Sequence, residues 1–406
     1  MVSEHASPLA VIGGVDAGGQ NVHVAALASA MADRGHEVVV YTRRDSPQLA
    51  QRVELRAGLT VEHLDAGPPA PIPKDDLLAY VPDLAADLRH RLATFSPAVV
   101  HAHFWMSGLA SLEAVRGLDV PVVQTFHALG TVKRRMQGSC DTSPAARVEH
   151  ERSIAREAHR VIASCTEEVR ELVALGASFA RIDVVPSGVD CDRFAPVGPV
   201  ARRTSTRRLL AIGRLVPRKG VDDVIAALQW LPDTELVVAG GPSTADVGAD
   251  PEAVRLMQLA EKCGVAHHVQ LVGQVPHTEL PALIRSADLV TCLPWYEPFG
   301  IVPLEAMSCG VPVVGTAVGG LLDTVLDGVT GVLLPPRQPA VAAAAIQDLL
   351  GDEQRRRAMG AAGRDRVGHY TWARVARSAE RTYLRSMLAR AAVRTDGQPA
   401  PREAVG

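Results

Sequence analysis

Glu297 and Glu305 stand eight positions apart in residues 295–307, WYEPFGIVPLEAM, joined by a Gly-containing turn that runs into an apolar helical segment. Eight residues of continuous helix would turn through about 800° and leave both carboxylates nearly on one side. The pattern predicts instead that Glu297 lies in the loop after a strand at 287–293, with Glu305 one to two turns into the following helix. The amides near Phe299, Gly300 and Ile301 then form the positive, unsatisfied end of that helix, a natural anion site. Carboxylates flanking an anion site suit a ligand that carries both phosphate and hydroxyls, and a nucleotide sugar is such a ligand.

Three other stretches supply complementary chemistry. Residues 213–220, GRLVPRKG, follow an apolar strand and precede a helix, so Arg214 and Lys219 can converge on one anion. Each cation at ~4 Å from a phosphate oxygen contributes up to ~4 kcal/mol at an effective dielectric of about 20. The bland alternative is a solvated basic turn. Residues 17–24, AGGQNVHV, open a helix with Gly18 and Gly19, which allow close backbone approach to a ligand; a simple helix start reads the same way. His127 ends a buried strand run, the edge where ligands bind in such sheets. His101 and His103 follow the same logic more weakly and read as supporting or packing residues. No convincing Asp-x-Asp motif follows a strand of the first half, and Asp75-Asp76 reads as a solvated helix start, so a metal-bridged diphosphate is not indicated.

The elements that must position these residues are short β-branched runs alternating with amphipathic helices. The runs fall at 37–41, 59–63, 98–101, 121–125, 160–164 and 182–185, then at 208–212, 235–239, 269–272, 288–292, 311–314 and 331–334. Continuous apolar strands alternating with helices predict parallel sheets covered on both faces. The fold class is therefore α/β, two Rossmann-like, doubly wound domains facing across a cleft. A chain of 406 residues fits two domains of roughly 190 residues each. They are placed at 1–197 and 208–369, with a Pro/Gly/Arg/Ser/Thr linker at 198–207, terminal helices at 370–393 and a disordered tail at 394–406. A net charge of −3 gives no whole-protein attraction to nucleic acid or anionic membrane. Six scattered cysteines without a C-x-x-C pair read as reduced thiols in a cytoplasmic protein, without zinc or disulfides. No apolar run approaches the ~18–20 residues of a membrane span, and the first residues do not read as a basic-then-apolar leader.

Taken together these residues resemble the retaining family-4 (group 1) glycosyltransferases of the GT-B fold. The matching elements are Gly18-Gly19, His127, Gly213-Arg214…Lys219-Gly220, Gly240-Gly241-Pro242 and Glu297…Glu305, in order over nearly the whole chain. AGGQNVHV, HAHFWMSG, HALGTVK and VVPSGVD look most like the inositol-phosphate and sucrose-phosphate branch. The resemblance implies a donor held mainly by the C-terminal domain and an acceptor held mainly by the N-terminal one. It assigns Arg214 and Lys219 to the donor diphosphate, Glu305 to the ribose, Glu297 to the transferred sugar and His127 to the sugar near the reacting carbon. Gly18, Gly19, Val275, Phe299, Gly300 and Ile301 would complete the donor site. Catalysis would rest on His127, Arg214, Lys219 and Glu297, without metal or cofactor, and with a uridine donor favoured over a guanosine one. The last helix, around Trp372, would cross back onto the first domain.

On the acceptor side the resemblance assigns Asn21, Lys74, Phe104, Ala128, Lys133 and Arg147. Phe104 and Ala128 stand where the inositol-phosphate enzymes carry hydroxyls, so the acceptor is a small polar molecule, a cyclitol, a sugar or their phosphate. A further departure lies at the start. Residues 1–9 begin almost inside the loop that a strand should precede, so either that strand has two or three residues or the start is assigned late. Rival readings are a lipid-directed glycosyltransferase with peripheral membrane contact, a nicotinamide dehydrogenase and a sugar-binding regulator. The dehydrogenase would need G-x-G-x-x-G, which AGGQNV does not supply. The basic stretch at 132–136 is short for a membrane helix, and retention of both glutamates and both cations argues against a regulator. The oligomeric state is open, and a homodimer is compatible.

Overall fold

The computed structural model describes residues 1–9 and 18–396; residue 17 of the glycine loop lies outside the described residues, as do 397–406 of the tail expected at 394–406, whose first three residues instead continue the last helix. The N-terminal sheet contains β1 (Val38–Arg43), β2 (Arg52–Arg56), β3 (Leu59–Leu64), β4 (Val100–His103), β5 (Val122–Thr125), β6 (Arg160–Ala163) and β7 (Ile182–Val184). Its two ladders run β1-β3-β2 and β4-β5-β6-β7. Val2 joins them, bridging Tyr41 on one side and Ala102 on the other in parallel. The amide of Ser3 donates to Tyr41 and that of His103 to Val2, each at 2.9 Å. A very short central strand therefore sits between the two ladders, as one of the two readings of residues 1–9 has it. The antiparallel β2 was not anticipated, because its sequence RVELR has no apolar run. It is an exposed edge strand, and charge is what protects such an edge.

The C-terminal sheet holds β8 (Arg207–Ile212), β9 (Thr234–Ala239), β10 (Val269–Gly273), β11 (Leu289–Cys292), β12 (Val313–Thr316) and β13 (Gly331–Leu334). All pairs are parallel, in the order β10-β9-β8-β11-β12-β13. This is the doubly wound order 3-2-1-4-5-6, whose topological switch point lies between β8 and β11. Val, Leu and Ile of these strands are buried on both faces under helices, which is why the strands read as continuous apolar runs.

Two chain segments cross side by side between the domains. Val189 donates to the Tyr370 carbonyl at 2.9 Å and bridges Thr371, and both Val189 and Phe194 already pack in the C-terminal core. The crossing thus precedes the stretch 198–207 expected as linker. That stretch lies on the C-terminal domain, where Arg285 donates to Ala195 and Pro199 carbonyls. Pro and Gly mark irregular backbone, not the plane between two domains. The helix Trp372–Asp396 returns to the N-terminal domain, packing Val375, Ala376, Ala379 and Tyr383 against Val24 and Leu27.

Candidate active site

The cleft between the domains encloses about 300 Å³, within the ~300–1,000 Å³ typical of small-molecule sites. Its C-terminal wall is built at the switch point. The chain leaves β8 through Gly213 and Arg214, makes a short 3-10 turn at Pro217–Lys219, and brings Lys219 against the loop after β11. Lys219 Nζ donates to Glu297 Oε2 at 2.5 Å. Burial pushes the Glu297 carboxyl up, but Lys219 and Arg218 nearby, with hydrogen bonds from Lys219 and the Phe299 amide, hold it below the usual carboxylate range. Glu297 is therefore a fixed carboxylate. Behind it, its carbonyl accepts from the Gly320 amide at 2.7 Å.

Gly300 caps the helix Ile301–Ser308 at φ 66°, a left-handed conformation that glycine adopts without strain. That places the helix start, with its unsatisfied amides, beside Arg214 and Lys219. Glu305 lies one turn in, buried on the cleft side, next to Val275 and His277 that follow β10. His277 Nε2 meets Glu305 Oε1 at 3.2 Å. Burial pushes the Glu305 carboxyl above its usual range, only partly offset by this bond.

The N-terminal wall comes from strand ends. Phe104 follows β4 and His127 follows β5, at φ 78° and 63° respectively. Such conformations are costly for residues with a Cβ and cluster at functional sites. His127 Nε2 pairs with His103 Nδ1 at 2.9 Å, and His101 bonds Tyr383 of the returning helix and Thr125. Burial, reinforced by the neighbouring histidines, drives His101, His103 and His127 well below the usual histidine range, and burial lowers His23 to about 4. The cluster is neutral at physiological pH. His127 Nδ1 is buried without a partner among the described residues, a deficit of ~1–3 kcal/mol that a ligand in the cleft can relieve. Across the cleft the His127 and Phe299 rings stand 5.3 Å apart, and a Cβ on Gly19 would lie 3.5 Å from Phe299 and Ile301.

The structure brings together on the cleft wall Gly18, Gly19, Asn21, Lys74, Phe104, His127 and Ala128 and, from the other domain, Arg214, Lys219, Val275, Glu297, Phe299, Ile301 and Glu305. Asn21 also ties its own loop, accepting from the Gly18 amide and donating to Ser7. Gly300 acts as the cap behind the wall. Lys133 and Arg147 are a correction: neither lines the cleft. Lys133 is held by Asp141 at 3.0 Å and Ser143, and Arg147 is buried against Glu151 at 2.8 Å, with its guanidinium 5.1 Å from the Phe104 ring centre. Each cation found a local carboxylate that its motif did not reveal. Residues missed in the sequence are His5, Gln20, Arg218 and His277, all on the wall. His277 carried a usable signal, since it follows a strand end just as His127 does.

Two doubly wound domains with their switch-point loops turned to one shared cleft define a GT-B fold. The chain belongs to the group 1 glycosyltransferases of that fold. The family model "Glycosyl transferases group 1" matches residues 199–366 and "Glycosyltransferase Family 4" matches residues 17–193. The chain is similar to the D-inositol 3-phosphate glycosyltransferase of Xylanimonas cellulosilytica, 38% identical over 391 residues covering 92% of this chain and 93% of the relative. It is 37% identical over 361 residues to the enzyme of that description in Mycobacterium tuberculosis, covering 86% and 75%. Among solved structures it resembles sucrose-phosphate synthase from Thermosynechococcus elongatus, with a TM-score of 0.87 and 29% identity over 96% of this chain and 98% of the other. The protein is thus a glycosyltransferase. Among the described residues no helix is long and apolar enough to cross a membrane.

Proposed function

We propose that this enzyme moves a hexose or N-acetylhexosamine, with retention of configuration and without a metal, from a nucleoside-diphosphate sugar to a hydroxyl of a small polar acceptor. The observation that carries this reading is the convergence of Arg214, Lys219 and the Ile301–Ser308 helix start beside two buried carboxylates, Glu297 and Glu305. The cations and amides stabilise the negative charge that develops on the departing diphosphate, and fixed donors aimed at developing charge lower such a barrier most. They take the place of a bridging metal. Glu305 accepts from the ribose hydroxyls, beside Val275, with uridine the favoured base. Glu297, kept ionised by Lys219, accepts from sugar hydroxyls and has no proton to give, so it is not the acid of the reaction. His127, neutral and held by His103, offers a hydrogen bond near the reacting carbon. The acceptor enters between Lys74, Phe104 and Ala128, and its proton leaves with the diphosphate on the same face.

The names of the relatives point to a cyclitol phosphate as acceptor. Pairing of Lys133 with Asp141 and of Arg147 with Glu151 favours the unphosphorylated cyclitol or sugar here. Thermal-shift screening of UDP, GDP and ADP, then donor hydrolysis in the presence of chelator, tests the donor and the metal independence. Product NMR with inositol, inositol phosphate and simple sugars as acceptors tests retention and the acceptor class. Absence of stabilisation by every nucleoside diphosphate overturns the reading.

A further inference from the structure

Glu305 is the less exposed of the two cleft carboxylates, and its orientation is not left to its own torsions. His277 Nε2 lies 3.2 Å from Glu305 Oε1, while the other ring nitrogen, Nδ1, lies 2.6 Å from Arg193 Nη1. A guanidinium has donors and no acceptor. Nδ1 must therefore accept from Arg193, which leaves the ring proton on Nε2, where it is donated to Glu305. The tautomer follows from geometry alone. The ring is also pinned edge-on by Phe194, 5.1 Å between centres, and Phe194 is a fully buried core residue. Its carbonyl accepts from Ser308 Oγ, on the same helix as Glu305 and three positions further along.

We infer that His277 is a positioning residue for recognition of the donor's ribose, and that Arg193 sets the direction in which His277 donates. This role rests on the proposed contact between Glu305 and the ribose. With Oε1 engaged by His277, the remaining acceptor capacity of the carboxylate faces the cleft in one orientation, which is what bidentate recognition of neighbouring hydroxyls requires. Arg193 and Phe194 sit four and five residues beyond Val189, where the chain crosses between domains. The crossing segment is therefore part of the scaffold behind the donor site, so ribose recognition depends on a turn that touches no ligand.

The test is calorimetric titration of UDP, 2′-deoxy-UDP and 3′-deoxy-UDP into the full-length protein and its Glu305→Ala, His277→Ala, His277→Gln and Arg193→Met variants. A hydrogen bond to a charged acceptor corresponds to about tenfold or more in affinity. The wild type is expected to bind UDP at least about tenfold tighter than a deoxy analogue. Glu305→Ala should abolish that ratio and His277→Ala should bring it below about threefold. Gln, whose amide nitrogen can reach the place of Nε2, should restore it in part, and Arg193→Met should reduce it to an intermediate value. If Glu305→Ala abolishes the ratio and His277→Ala and Arg193→Met both keep it, the positioning role is wrong and the ribose contact stands. If Glu305→Ala keeps it, the ribose contact falls, and the positioning role with it. Arg193 is exposed at the surface, so its variant decides the matter even if His277→Ala does not fold.

Discussion

Replacing Lys219 with methionine separates two roles that its ammonium combines. The first is structural: Lys219 Nζ lies 2.5 Å from Glu297 Oε2, with the two side chains 18% and 10% exposed. Breaking a buried pair from one side costs ~3–5 kcal/mol, and partial exposure together with the remaining Arg218 and Phe299 amide reduces this to about 1–3 kcal/mol. The second is chemical: one cation near a departing phosphate contributes up to ~4 kcal/mol at an effective dielectric of 20, or about a thousandfold in rate. The double variant Lys219→Met/Glu297→Gln removes both charges, so no buried carboxylate is left uncompensated. Stability, followed by urea denaturation, should fall by about 1–3 kcal/mol in the single variant and return to within about 1 kcal/mol of wild type in the double one. Turnover, followed by donor hydrolysis, should fall by about two to three orders of magnitude in both. Recovery of turnover in the double variant is the refuting result. It would mean that Lys219 serves only to neutralise Glu297 and never meets the diphosphate.

Three further outcomes follow from the same geometry. Gly319 lies at φ 51°, and a Cβ there would stand 2.1 Å from the Glu297 carbonyl, whereas Gly328, at φ 73°, has nothing within 4 Å. Both Gly→Ala changes should cost about 1 kcal/mol in backbone strain, but only Gly319→Ala should displace Glu297 and lower kcat/KM; equal kinetics in the two variants would contradict the contact. Burial raises the Glu305 carboxyl, so the ionised acceptor it offers is present above that raised pKa and lost as pH falls through it. The affinity difference between wild type and Glu305→Gln, measured by calorimetry from pH 7.5 to 5, should therefore shrink on acidification; a constant difference would count against it. Finally, His23 is lowered from 6.5 to about 4, so the unfolded chain binds protons in that window and the folded one does not. Its contribution of roughly 3 kcal/mol is present above pH 6.5 and lost on the way down to about pH 4, a slope that His23→Asn should flatten in denaturation measured against pH.

The alternation of apolar runs and helices in the sequence determined the two doubly wound sheets, because strand and helix periodicity is a local property of side-chain type and spacing. The same local logic put His127, Arg214 and Glu297 at strand ends and Glu305 inside a helix, where the structure has them. The edge strand β2 escaped it because an exposed strand has no apolar period to read. The crossing at Val189 escaped it because Pro and Gly report backbone irregularity, whereas the plane between domains is decided by which core a side chain joins. What only the tertiary structure decided is partnership: Lys219 with Glu297 across 78 positions, His103 with His127 across 24, and Arg193 with His277 across 84. The cations that do not serve the cleft are the opposite case: Arg147 pairs with Glu151 four positions on in one helix and Lys133 with Asp141 eight positions on, local spacings that the sequence did contain. In the cleft a side chain has a type fixed by its motif, but the partner that claims it depends on how loops from distant strands close over one sheet edge, and no local spacing contains that distance.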